Sequence, residues 1–167
     1  EALAVLHSLL DFRRMLDVPG YGRLRLHPAA RFIATMNHGY AGTRELNEAL
    51  ASRFVVLQLS SLHGNELERV LAAEFPEMDH KARKDFTLLF DELQQKCENA
   101  EISSKAVDLR GLMDALHLMQ LGLPVGQALS MGVVNKCFDE DERRMVQDVI
   151  SLRISSKMTA DSVFNRN

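Results

Sequence analysis

The chain has 167 residues, with 20 lysines and arginines against 23 aspartates and glutamates and 46% hydrophobic residues. That size and composition suit one domain of ordinary size or two small ones. A net charge of -3 without a concentrated basic face excludes an evident duplex-binding surface, so nucleic acid is not an expected partner.

Residues 1–16, EALAVLHSLLDFRRML, place Leu3, Leu6, Leu9, Leu10 and Met15 at roughly helical spacing and predict an amphipathic helix. No capping residue precedes it, so the helix is expected to be already under way at Glu1, as in a chain cut from a longer one. Pro19, Gly20 and Gly22, with the alternation RLRL at 23–26, predict a small hairpin or an extended loop.

RFIATM at 31–36 and FVVLQL at 54–59 are continuous apolar runs. Such runs suit strands covered on both faces of a parallel sheet. Between them Thr43 can cap a helix, Glu45 stands in its first turn, and Leu46, Ala49 and Leu50 form its apolar stripe.

After Ser60 the pattern becomes helix upon helix. Residues 64–75 carry Leu67, Val70, Leu71 and Phe75; residues 79–97, capped by Asp79, carry Phe86, Leu89, Phe90 and Leu93. Residues 107–122 carry Leu109, Leu112, Met113 and Leu116 and stop at Gly122 before Pro124. The next helix opens on Pro124, which a first turn tolerates. The last opens on the acids of 139–142, favourable to the helix dipole, and buries Met145, Val146, Val149 and Ile150. The chain thus divides near residue 62 into a small α/β part (1–62) and a helical part (63–154), with a polar, flexible tail at 155–167. The expected fold class is mainly α with a small α/β remnant.

No apolar run approaches the roughly 20 residues of a membrane span, and the first residues lack a basic start and a cleavage motif. Cys97 and Cys137 lie far apart without CxxC spacing. A reduced, cytoplasmic setting is the expectation. The six histidines (His7, His27, His38, His63, His80 and His117) are scattered without ligand spacing, so no metal site is expected among them. The methionines of the helical part (Met113, Met119, Met131 and Met145) read as core. The DEDE run lacks the glycine and spaced glutamate of an EF-hand.

Two stretches carry chemistry. FIATMNHGYAGTRELNEALASRF, residues 32–54, strongly resembles the sensor 1 to arginine-finger segment of AAA+ ATPases in the MoxR-like, dynein-related branch. DLRGLMDALHLMQLGLP, residues 108–124, is similar to the sensor 2 helix of that family's lid. The resemblance implies a partial AAA+ module: a parallel-sheet fragment followed by a C-terminal helical lid. It makes Asn37 the sensor 1 amide, which orients the attacking water or touches the γ-phosphate. It makes Arg53 the arginine finger, which reaches into a neighbouring subunit's site, and Arg110 the lid arginine on the phosphates of its own subunit. Ser103–Lys105 competes for the sensor 2 role, with Lys105 as the fallback. Arg44 beside the finger reads as its support or as a solvated turn residue. His38 stands where the family often has proline.

Each of these residues also has an ordinary reading. Asn37 is a fair turn former beside Gly39. Arg53 is a surface arginine that Glu45 or Glu48 can pair. Arg110, a cation in a helix's first turn, invites Asp108 or Asp114 as its partner.

The chain has no GxxxxGK[ST] and no apolar strand ending in Asp-Glu. The resemblance therefore implies a start just after the Walker B strand, with ATP and Mg2+ bound only by the intact protein. In the family the P-loop strand lies between the two apolar runs, so here each run is expected to have unpaired edges that favour association. The implied protein is a remodelling-type ATPase working as a homo-oligomeric ring, hexameric by analogy, on a client protein. The isolated 167 residues are expected to be inactive. Two alternatives remain: a non-catalytic helical interaction module derived from the lid, and a subunit of a restriction-type nucleic-acid-remodelling NTPase.

Overall fold

The computed structural model describes residues 4–18, 20–36 and 48–165. The chain forms two compact units, Glu1–Ser60 and Ser61–Asn167. Among the described residues the fold is mainly α with one small sheet, as the sequence predicts.

In the first unit the helical spacing yields α1, Ala4–Leu10, with Leu9 buried. The helix is shorter than its pattern because Met15 belongs to a strand. Arg14, at φ 49°, adopts a left-handed turn that ends the helical course. The chain then makes β1, Met15–Val18, and β2, Gly22–Arg25, an antiparallel hairpin pairing Met15 with Arg25 and Val18 with Gly22. Gly20 and Gly22, at φ 80° and 93°, supply backbone angles that a side chain would resist. Arg14 ties the following loop back: its Nη2 donates to the Ala30 carbonyl at 2.8 Å.

The expected parallel-sheet fragment is not present among the described residues. The sheet is the hairpin alone, and residues 31–36 and 55–60 carry no strand. Ile33, Val55 and Leu59 are 94, 91 and 89% exposed. The physical reason is pairing: a strand's amide and carbonyl groups need a neighbour, and the described residues offer these runs none. The short helix α2, Glu48–Ala51, lies between them and buries Leu50. Leu3, Asn37, His38, Gly39, Thr43, Arg44, Glu45 and Leu46 fall outside the described residues, as does the side chain of Leu6.

The second unit is a helical bundle. It comprises α3 (Gly64–Glu74), α4 (His80–Glu98), α5 (Leu109–Gln120), α6 (Val125–Gly132), a 3-10 turn at Val134–Lys136, α7 (Glu140–Arg153) and α8 (Ala160–Val163). Leu67, Leu71, Phe75, Phe86, Leu89, Leu93, Leu112, Leu116, Val146 and Val149 fill one core. Asp79 caps α4 as its sequence predicts, and Asp108 and Asp139 likewise accept first-turn amides of α5 and α7. Gly122, at φ 96°, ends α5 as predicted.

The tail is a correction. Residues 155–165 are not a frayed end: Thr159 and Ser162 form a capping box on α8, and Val163 and Phe164 are buried in the core. The Phe164 ring lies 5.9 Å from that of Phe75, and the Asp79 amide donates to the Val163 carbonyl at 2.8 Å. Two apolar residues at the end of a polar run gave the segment something to bury.

Candidate functional site

Arg53 follows α2 in the first unit, where its exposed side chain folds back and its Nη1 donates to the carbonyl of Ala49. The backbone closes α2 in the same place: Ser52, Arg53 and Phe54 amides donate to Glu48, Leu50 and Ala51 carbonyls. Arg53 thus sits over the negative end of a short helix, a position that favours a cation. Its charge also acts on Asp11. That carboxyl is held below its usual value chiefly by the Arg13 guanidinium at 2.5 Å, with a weaker pull from Arg53. Asn37 and Arg44 lie outside the described residues.

Arg110 belongs to the second unit, in the first turn of α5. Its amide donates to Asp108 Oδ1 at 3.1 Å, while its side chain is exposed and has no hydrogen bond or ion pair among the described residues. The carboxylate expected to pair with it is already taken: Lys136 Nζ lies 2.8 Å from Asp108 Oδ2. Asp114, one turn along, makes no ion pair with Arg110 either. Lys105, the fallback, is exposed but engaged, with its Nζ 4.4 Å from the centre of the Phe138 ring.

The ground around Arg110 is set by close helix packing. α5 and α6 meet at Gly111 and Gly132. A Cβ on Gly111 would fall on the Gly132 carbonyl oxygen and 2.7 Å from Lys136 Nζ. A Cβ on Gly132 would fall on the Gly111 carbonyl and 2.9 Å from Ala115 Cβ. Glycine at both positions lets the two backbones touch and leaves a passage for the Lys136 side chain. Lys136 escaped the sequence reading because it is 28 residues from Asp108 and no local pattern joins them.

A cleft of about 490 Å³ in the helical unit is lined by Cys97, Glu101, Ser103, Asp139, Glu142 and Met145. Its carboxylates make it inhospitable to phosphate. Glu142 is structural there, accepting the Ser103 amide at 2.6 Å and so tying the α4–α5 connection to α7. Nearby Cys137 is buried, and burial together with Glu142 pushes its thiol up to about 11, which leaves it unreactive near neutral pH. Among the described residues no three of His, Cys, Asp and Glu are grouped to hold a metal ion. Among the same residues no helix is long and apolar enough to cross a membrane.

Comparison with known sequences bears on the first unit. Residues 1–54 match the family model for the AAA domain (dynein-related subfamily). The match takes in Asn37 and Arg53, ends at Phe54, and supports the AAA family for this part of the chain. The chain is similar to the uncharacterized protein YojN of Bacillus subtilis (strain 168), with 33% identity over 150 residues, covering 89% of this chain and 49% of that protein. It is similar to the uncharacterized protein SH1500 of Staphylococcus haemolyticus (strain JCSC1435), with 31% identity over 153 residues, covering 91% of this chain and 58% of that protein. An uncharacterized protein of Staphylococcus aureus (strain NCTC 8325 / PS 47) matches at the same identity and coverage. The chain therefore spans about half the length of the curated relatives it matches. No solved structure gives a significant match.

Proposed function

We propose that this chain is the sensor 1, arginine-finger and lid portion of a MoxR-like AAA+ ATPase of the remodelling type. The family match over residues 1–54 carries this reading, because it ends on the Arg53–Phe54 pair. In this reading Asn37 orients the attacking water at the γ-phosphate, and Arg53 reaches the nucleotide of a neighbouring subunit. Arginine suits that task because its planar fork binds phosphate oxygens in pairs and keeps its charge. A finger supplied in trans contributes about 10³–10⁵ in rate. A residue that completes a neighbour's site implies a repeating head-to-tail interface, hence a ring, and we take it as a homo-hexamer.

Arg110 takes the phosphates of its own subunit's ATP. Its exposed guanidinium, without an ion pair among the described residues, favours it over Lys105, which is drawn to Phe138. The phosphate cradle and the Mg2+ ligands belong to the part of the protein outside these 167 residues. There the apolar runs 31–36 and 54–59 also find the neighbouring strands they need. Lid motion during turnover acts on a client protein in the cytoplasm.

The test is Arg53→Ala in the full-length protein. Turnover falls by about 10³ or more, while ATP affinity stays within about twofold, as expected of a group that acts on the transition state. Loss of ATP binding, or undiminished turnover, contradicts the finger role.

A further inference from the structure

We infer that Lys136 is a positioning residue that keeps Arg110 free for phosphate by occupying the carboxylate that would otherwise capture it. This rests on the proposed reading of Arg110 as a phosphate contact.

Asp108 is the N-cap of α5 and stands two residues before Arg110. An aspartate so close to a first-turn arginine is its natural partner, and a guanidinium held by a carboxylate offers a phosphate little. Here both carboxylate oxygens are used. Oδ1 accepts the Arg110 amide at 3.1 Å, and Oδ2 takes the Lys136 ammonium at 2.8 Å. The Arg110 side chain is left exposed and unpaired among the described residues.

The arrangement depends on tertiary packing. Lys136 ends the 3-10 turn that follows α6, and α6 is pressed against α5 at Gly132 and Gly111. The ammonium passes where a Gly111 side chain would stand, since a Cβ there would lie 2.7 Å from Nζ. The lysine thus arrives from another element, fixed by the backbone contact, and neutralises Asp108. The α5 terminus is left with one net cation, and the Arg110 side chain there is exposed.

The test measures binding of a fluorescent, non-hydrolysable ATP analogue to the full-length protein. Arg110→Ala weakens binding roughly tenfold or more, the loss of a charge-assisted contact. Lys136→Met frees Asp108 to pair with Arg110 and weakens binding about fivefold. Lys136→Arg binds like the wild type. Asp108→Asn added to Lys136→Met restores affinity, because asparagine still caps the helix but holds no charge to capture Arg110. A lysine that served only packing would leave the double variant as weak as Lys136→Met, and that result overturns the inference. So does wild-type binding by Lys136→Met when Arg110→Ala has lost it. If Arg110→Ala itself binds normally, the proposed role of Arg110 is what fails, and the inference falls with it.

Discussion

Asp91 of α4 caps α3 from across the helix pair: its carboxylate oxygens accept the Gly64 amide at 3.0 and 3.2 Å. His63, the residue before α3, makes no capping bond of its own. The orphan amide at that terminus is therefore satisfied by a neighbouring helix, and helix start and helix packing become one interaction. Asp91→Ala should destabilise the helical unit by about 1 kcal/mol, the usual value of a lost cap, and Asp91→Asn by much less. Chemical denaturation of the three proteins checks this. Equal stability of Asp91→Ala and wild type contradicts it.

The two glycines between α5 and α6 give a prediction of sign. Gly132→Ala meets the Gly111 carbonyl and the Ala115 side chain, both parts of a packed helix that has no room to yield. It should cost about 1–3 kcal/mol. Gly126→Ala, in the same helix, meets nothing within 4 Å and should stabilise by about 0.5 kcal/mol through the unfolded chain. Unfolding midpoints in urea compare the pair directly.

Acid should act through the cap of α4. The Asp79 carboxyl is held below its usual value, first by the Ala82 amide and then by those of Lys81 and His80. With a lowered folded-state pKa, the unfolded chain takes up the proton first. The stabilisation is therefore complete above the ordinary aspartate value of about 3.9 and is lost as pH falls through the lower folded value. Asp79→Asn keeps the cap but removes the titration, so its stability should fall less steeply below about pH 4. Thermal unfolding of both proteins from pH 5 downward reads the difference in slope, and parallel curves contradict the assignment.

The helical half was legible because its signals are local. Asp79 and Gly122 mark helix ends by chemistry that acts within a turn, and Leu67, Leu71, Phe86 and Leu93 mark buried faces by spacing alone. The hairpin at 15–25 was readable from its glycines. The apolar runs at 31–36 and 54–59 misled because composition reports a wish to be buried, not the presence of a partner strand. The end of the chain misled in the opposite sense. Thr159 and Ser162 are a readable capping pair, but the polar setting hid the two residues, Val163 and Phe164, that dock the segment. Arg53 and Arg110 are singled out by motif resemblance alone. The partners Asp91 for Gly64 and Lys136 for Asp108 come from distant positions, which only the folded chain reveals.

Whether Arg53 completes a neighbour's site is decided by mixing two inactive full-length proteins, one carrying Arg53→Ala and the other lacking the phosphate-cradling lysine. In mixed rings an intact nucleotide site can meet an intact finger, so ATPase activity should reappear and peak near equal proportions. Activity that stays at background at every ratio, in rings shown to contain both subunits, contradicts the claim.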